Sequence, residues 1–137
     1  MATTDYFSSC QTNIATGVSV PDNWFGHQLS FEGDAYVGLV TYMDGSSENC
    51  EYVQVKLLEP LEPCRTYQVR FWTSLSDFSS RATNTLGARL DINPITKLSP
   101  FSFQGFELPS HIGSSEFITD TASWTLVSGE YQAIGNE

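Results

Sequence analysis

The feature that most constrains the fold is an alternation of apolar and polar residues between residues 51 and 75. Two segments, 51–58 and 67–75, alternate residue by residue, and Pro60 and Pro63 stand between them. Successive side chains of a strand point to opposite faces, so this pattern predicts two half-buried strands. A proline cannot donate a hydrogen bond to a sheet, so a turn is expected between them. The predicted inward residues are Val53, Val55 and Leu57 in the first strand and Tyr67, Val69, Phe71 and Leu75 in the second.

The outward face of the same two strands carries long polar side chains and one flat aromatic ring. On a sheet surface, such a set forms either an ordinary solvated face or a platform for a ligand, and the sequence leaves both interpretations open. The residues of this face are Gln54, Lys56, Gln68, Arg70 and Trp72.

The remaining chain also predicts strands. Alternation marks strands at 35–43, 86–92 and 124–133, and shorter ones near 18–20 and 116–118. Turn-forming residues separate these segments, and no segment has helical periodicity or an internal repeat. We therefore expect one all-β domain spanning residues 1–137, built as a sandwich or barrel.

Charge and composition exclude several classes of partner. The net charge is −10, and all six Lys and Arg residues lie within residues 56–97. An acidic surface repels phosphate backbones, so we expect no nucleic-acid binding. No apolar run approaches the ~18 residues of a membrane helix, so no membrane insertion is expected. Few charged residues and many Ser, Thr, Asn and Gly favour a secreted β-protein, although the opening MATTDYFSSC lacks the features of a signal peptide.

Three cysteines leave the redox chemistry open. Cys10, Cys50 and Cys64 share no C-x-x-C spacing, so a zinc site is not expected. One disulfide with a remaining thiol, a bond to another chain, or three reduced thiols all agree with this count.

Five segments resemble, in order, the carbohydrate-binding-module-like, galactose-binding-like jelly rolls of secreted and outer-surface bacterial proteins. They are TDYFSSC (4–10), VPDNWFGHQ (20–28), GDAYVGLVTY (33–42), EYVQVKLLEPLEPCRTYQVRFWTSLSDFSSRATNTLG (51–87) and ITDTASWTLVSGEYQAIGNE (118–137). The resemblance implies a two-sheet antiparallel β-sandwich, a jelly roll, at an extracellular or cell-surface location. Members of this family have a further strand at each end. We therefore expect a domain truncated at both ends, with exposed edges that a strand-completing partner chain or domain swapping would cover.

Aromatic residues indicate where a sugar would bind, because the apolar faces of sugar rings stack on aromatic rings. One candidate is Trp72, with Arg70, Gln68, Gln54, Lys56 and Asp91 as hydrogen-bonding neighbours. The other is a loop site at Trp24, Phe25 and His27. The competing interpretation is that the tryptophans are core residues, which fits Trp124 best and Trp24 least.

The resemblance also implies a structural calcium ion bound by carboxylate and carbonyl oxygens. The candidate ligands are Glu32, Asp34, Asp120 and Glu130, and a solvated acidic surface is the competing interpretation.

No catalytic motif stands out. The chain has no nucleophile elbow, no H-E-x-x-H helix and no Gly-rich phosphate loop, although a pair of carboxylates brought together by folding stays open. We therefore expect a non-catalytic carbohydrate-binding or adhesive accessory module. The alternative is a structural or protein-interaction sandwich without a sugar site.

Overall fold

The computed structural model describes residues 4–41, 51–94 and 109–135. Within these ranges the chain is all-β, with a single 3-10 turn at Ile14–Thr16 and no α-helix. The strands are β1 Asp5–Ser8, β2 Asp22–Asn23, β3 Gly26–His27, β4 Ala35–Gly38, β5 Thr66–Thr73, β6 Gly87–Ala88, β7 Ile112–Gly113 and β8 Thr125–Gln132.

The described strands form four small antiparallel sheets of two strands each. The pairs are β1–β4, β2–β3, β5–β8 and β6–β7. Single bridges extend this pairing, from Ser8 to Ser19 and from Thr83 to Ile118. The all-β prediction is therefore confirmed for this part of the chain.

The β5–β8 pair is the longest sheet and organises the core. Its register runs from Thr66 opposite Gln132 to Thr73 opposite Thr125, which confirms the strands predicted at 67–75 and 124–133. The inward side chains of both strands pack with Ile112 of β7. This cluster consists of the buried residues Ile112, Val127, Tyr131 and Ala133, with Leu61, Tyr67, Val69, Phe71 and Leu90 packed against them.

The strand predicted over 51–58 is wrong. This segment forms no strand, and Val53, Val55 and Leu57 are 56%, 82% and 38% exposed. Alternation specifies two faces but no hydrogen-bonding partner, and in the described structure the ladder partner of β5 is β8. The backbone of Glu51 instead donates to the carbonyl of Val40.

Other predicted strands are present but shorter. The 35–43 strand is β4, which ends at Gly38, while residues 42 and 43 lie outside the described residues. The 86–92 strand shrinks to β6, and the strands near 18–20 and 116–118 are single bridges. Periodicity thus identified the position of each segment but overestimated how many of its residues pair.

A second buried centre lies where β1 meets β4. Phe7 is 2% exposed and stacks on Tyr36, with ring centroids 5.0 Å apart. Phe25 meets the Phe7 ring edge to face at 5.9 Å. A Cβ atom at Gly38 would lie 2.6 Å from the Phe7 ring, so the packing requires a glycine there. Phe7 therefore fixes the position of Tyr36.

Candidate functional site

Four aromatic rings line an open cleft of about 280 Å³. We call it the aromatic cleft. The rings belong to Phe31, Tyr36, Trp72 and Trp124, and the other described residues of the lining are Glu32, Ala35 and Val37.

Trp72 enters the cleft from the outward face of β5. Burial alternates along this strand, so that Tyr67, Val69 and Phe71 are half-buried while Trp72 stays 40% exposed. The Trp72 ring stacks on Phe31, with centroids 4.0 Å apart and planes inclined by 21°. The two stacked faces cover each other, so the wall that this pair presents to solvent consists of the remaining exposed parts of both rings.

Tyr36 and Trp124 form the other side of the cleft. Their rings meet edge to face with centroids 5.6 Å apart. The Asn23 amide donates a 2.8 Å hydrogen bond to the Tyr36 oxygen, and the Trp124 indole N–H donates one of 2.8 Å to the Leu29 carbonyl. Burial raises the pKa of the Tyr36 phenol, and the Asn23 hydrogen bond partly offsets this. Both rings are thus held by polar contacts as well as by packing.

A polar strip continues from the cleft along the outward face of β5 and β8. Gln68 lies directly opposite Glu130, and Arg70 lies opposite Ser128. All four are exposed. Long side chains on diagonal positions of a sheet reach one another, so Arg70 can also approach Glu130. The strip presents amide, guanidinium, hydroxyl and carboxylate groups beside Trp72.

The ligand-binding residues predicted from the sequence are only partly brought together. Gln68, Arg70 and Trp72 share one face, as expected. Gln54 and Lys56 do not lie on a strand, so the five-residue sheet platform is not formed. Asp91 follows β6 and pairs with Arg89 at 2.5 Å, and it does not line the cleft.

Trp24 and His27 belong to a separate surface around the β2–β3 hairpin. Trp24 is 68% exposed, which confirms it as the most exposed of the three tryptophans, and its ring lies over Gly17. His27 Nδ1 is 2.7 Å from an Asp22 carboxylate oxygen, and the His27 backbone N–H donates to Asp77 at 2.8 Å. Phe25, in the same hairpin, is 39% exposed, and none of these three residues lines the aromatic cleft.

The four predicted calcium ligands occupy different settings. Glu32 lines the cleft, Glu130 lies on the polar strip, and one Asp120 oxygen accepts hydrogen bonds from the backbone N–H groups of residues 122 and 123. The carbonyl of Asp34 accepts from the Ser9 N–H. Over the described ranges, no group of three or more His, Cys, Asp or Glu residues is arranged to hold a metal ion. Calcium stays a prediction from the resemblance.

Phe31, Tyr36 and Trp124 were not identified as ligand-binding residues from the sequence. Trp124 was assigned to the core, and it is half-buried. The sequence contained one signal for them, because aromatic residues flank two of the predicted calcium ligands. Phe31 directly precedes Glu32, and Tyr36 follows Asp34 by two residues. Nothing in the sequence places either beside Trp72, because that proximity depends on packing between separate sheets.

Two of the three cysteines lie in the part of the chain that the structure describes. Cys10 and Cys64 are exposed free thiols, whereas Cys50 lies outside the described residues.

In the part of the chain that the structure describes, no helix has the length and apolar character needed to cross a membrane.

Comparison of the chain with protein-family models, curated proteins and solved structures finds no match in any of the three. The resemblance to galactose-binding-like jelly rolls therefore rests on the sequence segments alone.

Proposed function

We propose that the chain is a non-catalytic carbohydrate-binding or adhesive module of a secreted or cell-surface protein. In this proposal its strands belong to a two-sheet antiparallel jelly roll. The observation that carries it is the aromatic cleft, in which Trp72, Phe31, Tyr36 and Trp124 surround about 280 Å³ of accessible space next to a polar strip.

The cleft has the chemistry that a sugar ring requires. One face of a sugar ring is formed by C–H groups and packs on an aromatic ring, while its hydroxyls need hydrogen-bonding partners at the rim. The wall of Trp72 and Phe31 offers the apolar surface, with both rings partly exposed. Clefts lined by aromatic side chains with a few polar groups are the usual form of small-ligand sites.

The polar strip provides the hydrogen bonds. Gln68 can donate and accept, Arg70 can donate, and Glu130 can accept from sugar hydroxyls. They lie at alternate positions along β5 and β8, so a glycan that runs along the strip would meet them in turn. One shallow cleft gives weak affinity, so repeated presentation on a surface would strengthen adhesion.

Paired tryptophan variants test the proposal. Wild type, Trp72→Ala and Trp24→Ala would be applied to a glycan array after circular dichroism has shown that each folds. We expect the wild type and Trp24→Ala to bind the same glycans, and Trp72→Ala to lose them. Equal binding by all three proteins would refute the cleft as the sugar site.

A protein-interaction domain is the second candidate, and the β5–β8 pair favours it. Both strands have eight residues, and neither has another ladder partner among the described residues. Long strand edges are templates for strand addition by a partner chain. Sedimentation that shows concentration-dependent association, together with a blank glycan array, would favour this candidate.

A further inference from the structure

We propose that the aromatic cleft selects a glycan that carries free, protonated amino groups, such as a polymer of 2-amino-2-deoxy sugars. This inference rests on the proposed function and specifies its ligand class. The juxtaposition that carries it is a carboxylate, Glu32, among four aromatic rings.

The cleft lining has one sign of charge. Among the described residues that line it, Glu32 is the one acidic side chain, and burial raises the pKa of the Tyr36 phenol. No Lys or Arg belongs to the part of this lining that the structure describes. A carboxylate in such a position attracts a cation, offers only hydrogen bonding to a neutral sugar and repels an acidic one.

The rings favour the same ligand. The face of an aromatic ring is electron-rich and attracts an ammonium group placed within about 6 Å of its centre. Trp gives the strongest effect of this kind, and two of the four rings are Trp72 and Trp124. A protonated amino sugar would therefore gain from ring stacking, from ring–cation attraction and from Glu32 together.

The surrounding charges also favour a cation. Phe31–Val37 and Trp124 come from the two parts of the chain, residues 1–55 and 98–137, that contain no Lys or Arg. The neighbouring cation on the outward face is Arg70, which lies opposite Ser128 and diagonal to Glu130. Arg70 is not among the residues that line the cleft, and the diagonal position of Glu130 places a carboxylate within reach of it.

Three β-1,4-linked hexasaccharides that differ only at C2 separate the contribution of the amino group to binding from that of the rest of the sugar. The glucosamine hexamer carries an ammonium group there, the N-acetylglucosamine hexamer an acetamide, and the glucose hexamer a hydroxyl. Binding would be measured by titration calorimetry in mildly acidic buffer, where sugar amines are protonated. We expect the glucosamine hexamer to bind about tenfold more tightly than the other two. That preference should shrink when salt rises from about 20 to about 200 mM, since salt screens exposed charges.

Glu32→Gln removes the charge and retains the shape. It should reduce the preference for the glucosamine hexamer to the part that ring–cation attraction supplies, and it should leave binding of the two neutral hexamers unchanged. Glu116→Gln is the matched control, because Glu116 is an exposed acid that does not line the cleft and its substitution should change nothing.

The outcomes separate the two proposals. A neutral hexamer that binds as tightly as the glucosamine hexamer would overturn the inference and leave the carbohydrate-binding proposal standing. An unchanged preference in Glu32→Gln would overturn the assigned role of Glu32. Failure of all three hexamers to bind would overturn the inference, and the glycan array would then decide on the proposed function independently.

Discussion

Phe7 is the side chain whose truncation should weaken the β1–β4 part of the fold most. It is 2% exposed, stacks on Tyr36 at 5.0 Å and meets Phe25 edge to face at 5.9 Å. The substitution Phe7→Ala removes the ring from both contacts and leaves a cavity on the face of the β1–β4 sheet where these rings pack.

The expected loss follows from burial and ring contacts. Burying a Phe side chain contributes about 1.5–3 kcal/mol. Each aromatic pair adds roughly 0.5–1.5 kcal/mol, and the cavity adds a further cost. Measured Phe→Ala changes in protein cores span about 3–5 kcal/mol, and we expect Phe7→Ala to fall within that range.

Tyr6→Ala is the matched control, because Tyr6 precedes Phe7 on the same strand and points outward. It is 64% exposed, so its truncation should cost no more than about 1 kcal/mol. Urea unfolding followed by fluorescence gives both values. The midpoint of Phe7→Ala should fall by at least about 1 M, while that of Tyr6→Ala should move much less.

Equal losses for the two variants would refute the assignment of inward and outward faces on β1. The result also bears on the site. Phe7 supports Tyr36, so a folded Phe7→Leu variant should bind glycan more weakly although it retains every residue that lines the cleft.

Three further outcomes are expected. Gly38→Ala should destabilise the protein by about 1–3 kcal/mol, because its Cβ would press on the Phe7 ring; an unchanged urea midpoint would contradict that packing. Burial raises the pKa of Tyr36 above its ordinary value of 10.0, so the contribution of Tyr36 to the free energy of unfolding should be constant below about pH 10 and be lost as the pH rises through the raised value. Alkaline unfolding curves of the wild type and Tyr36→Phe test this, since the variant should lose part of that pH dependence. Trp124→Phe removes the hydrogen bond to Leu29 and should cost about 0.5–1.5 kcal/mol, measured by the same unfolding assay.

The sequence predicted local strand character well where the strand also has a partner. β5 and β8 combine clear alternation with a full ladder between them, and both were predicted with nearly correct bounds. The 51–58 segment alternates equally clearly but forms no strand, and the backbone bond from Glu51 to Val40 lies beyond the end of β4. A single sequence shows which side chains prefer burial but not which segments meet.

The site residues were predicted correctly or missed for the same reason. Trp72, Arg70 and Gln68 share an outward face because period two fixes it. Gln54 and Lys56 were predicted to lie on the same face because they belong to the 51–58 segment, which does not form a strand. Phe31 and Trp124 were not selected, because they reach Trp72 through packing between segments that are distant in sequence. Side chains on one strand could be grouped in advance, and those brought together by tertiary packing could not.

The most direct test of the account uses the three tryptophans as internal reporters. Each indole N–H gives its own resonance in a nitrogen-15 NMR spectrum, and single Trp→Phe variants assign the three signals. On titration with the hexasaccharide that binds best, we predict that the Trp72 and Trp124 signals shift together along one binding curve, while the Trp24 signal stays in place. A titration that moves Trp24 alone, or moves none of the three, would contradict the aromatic cleft as a carbohydrate site.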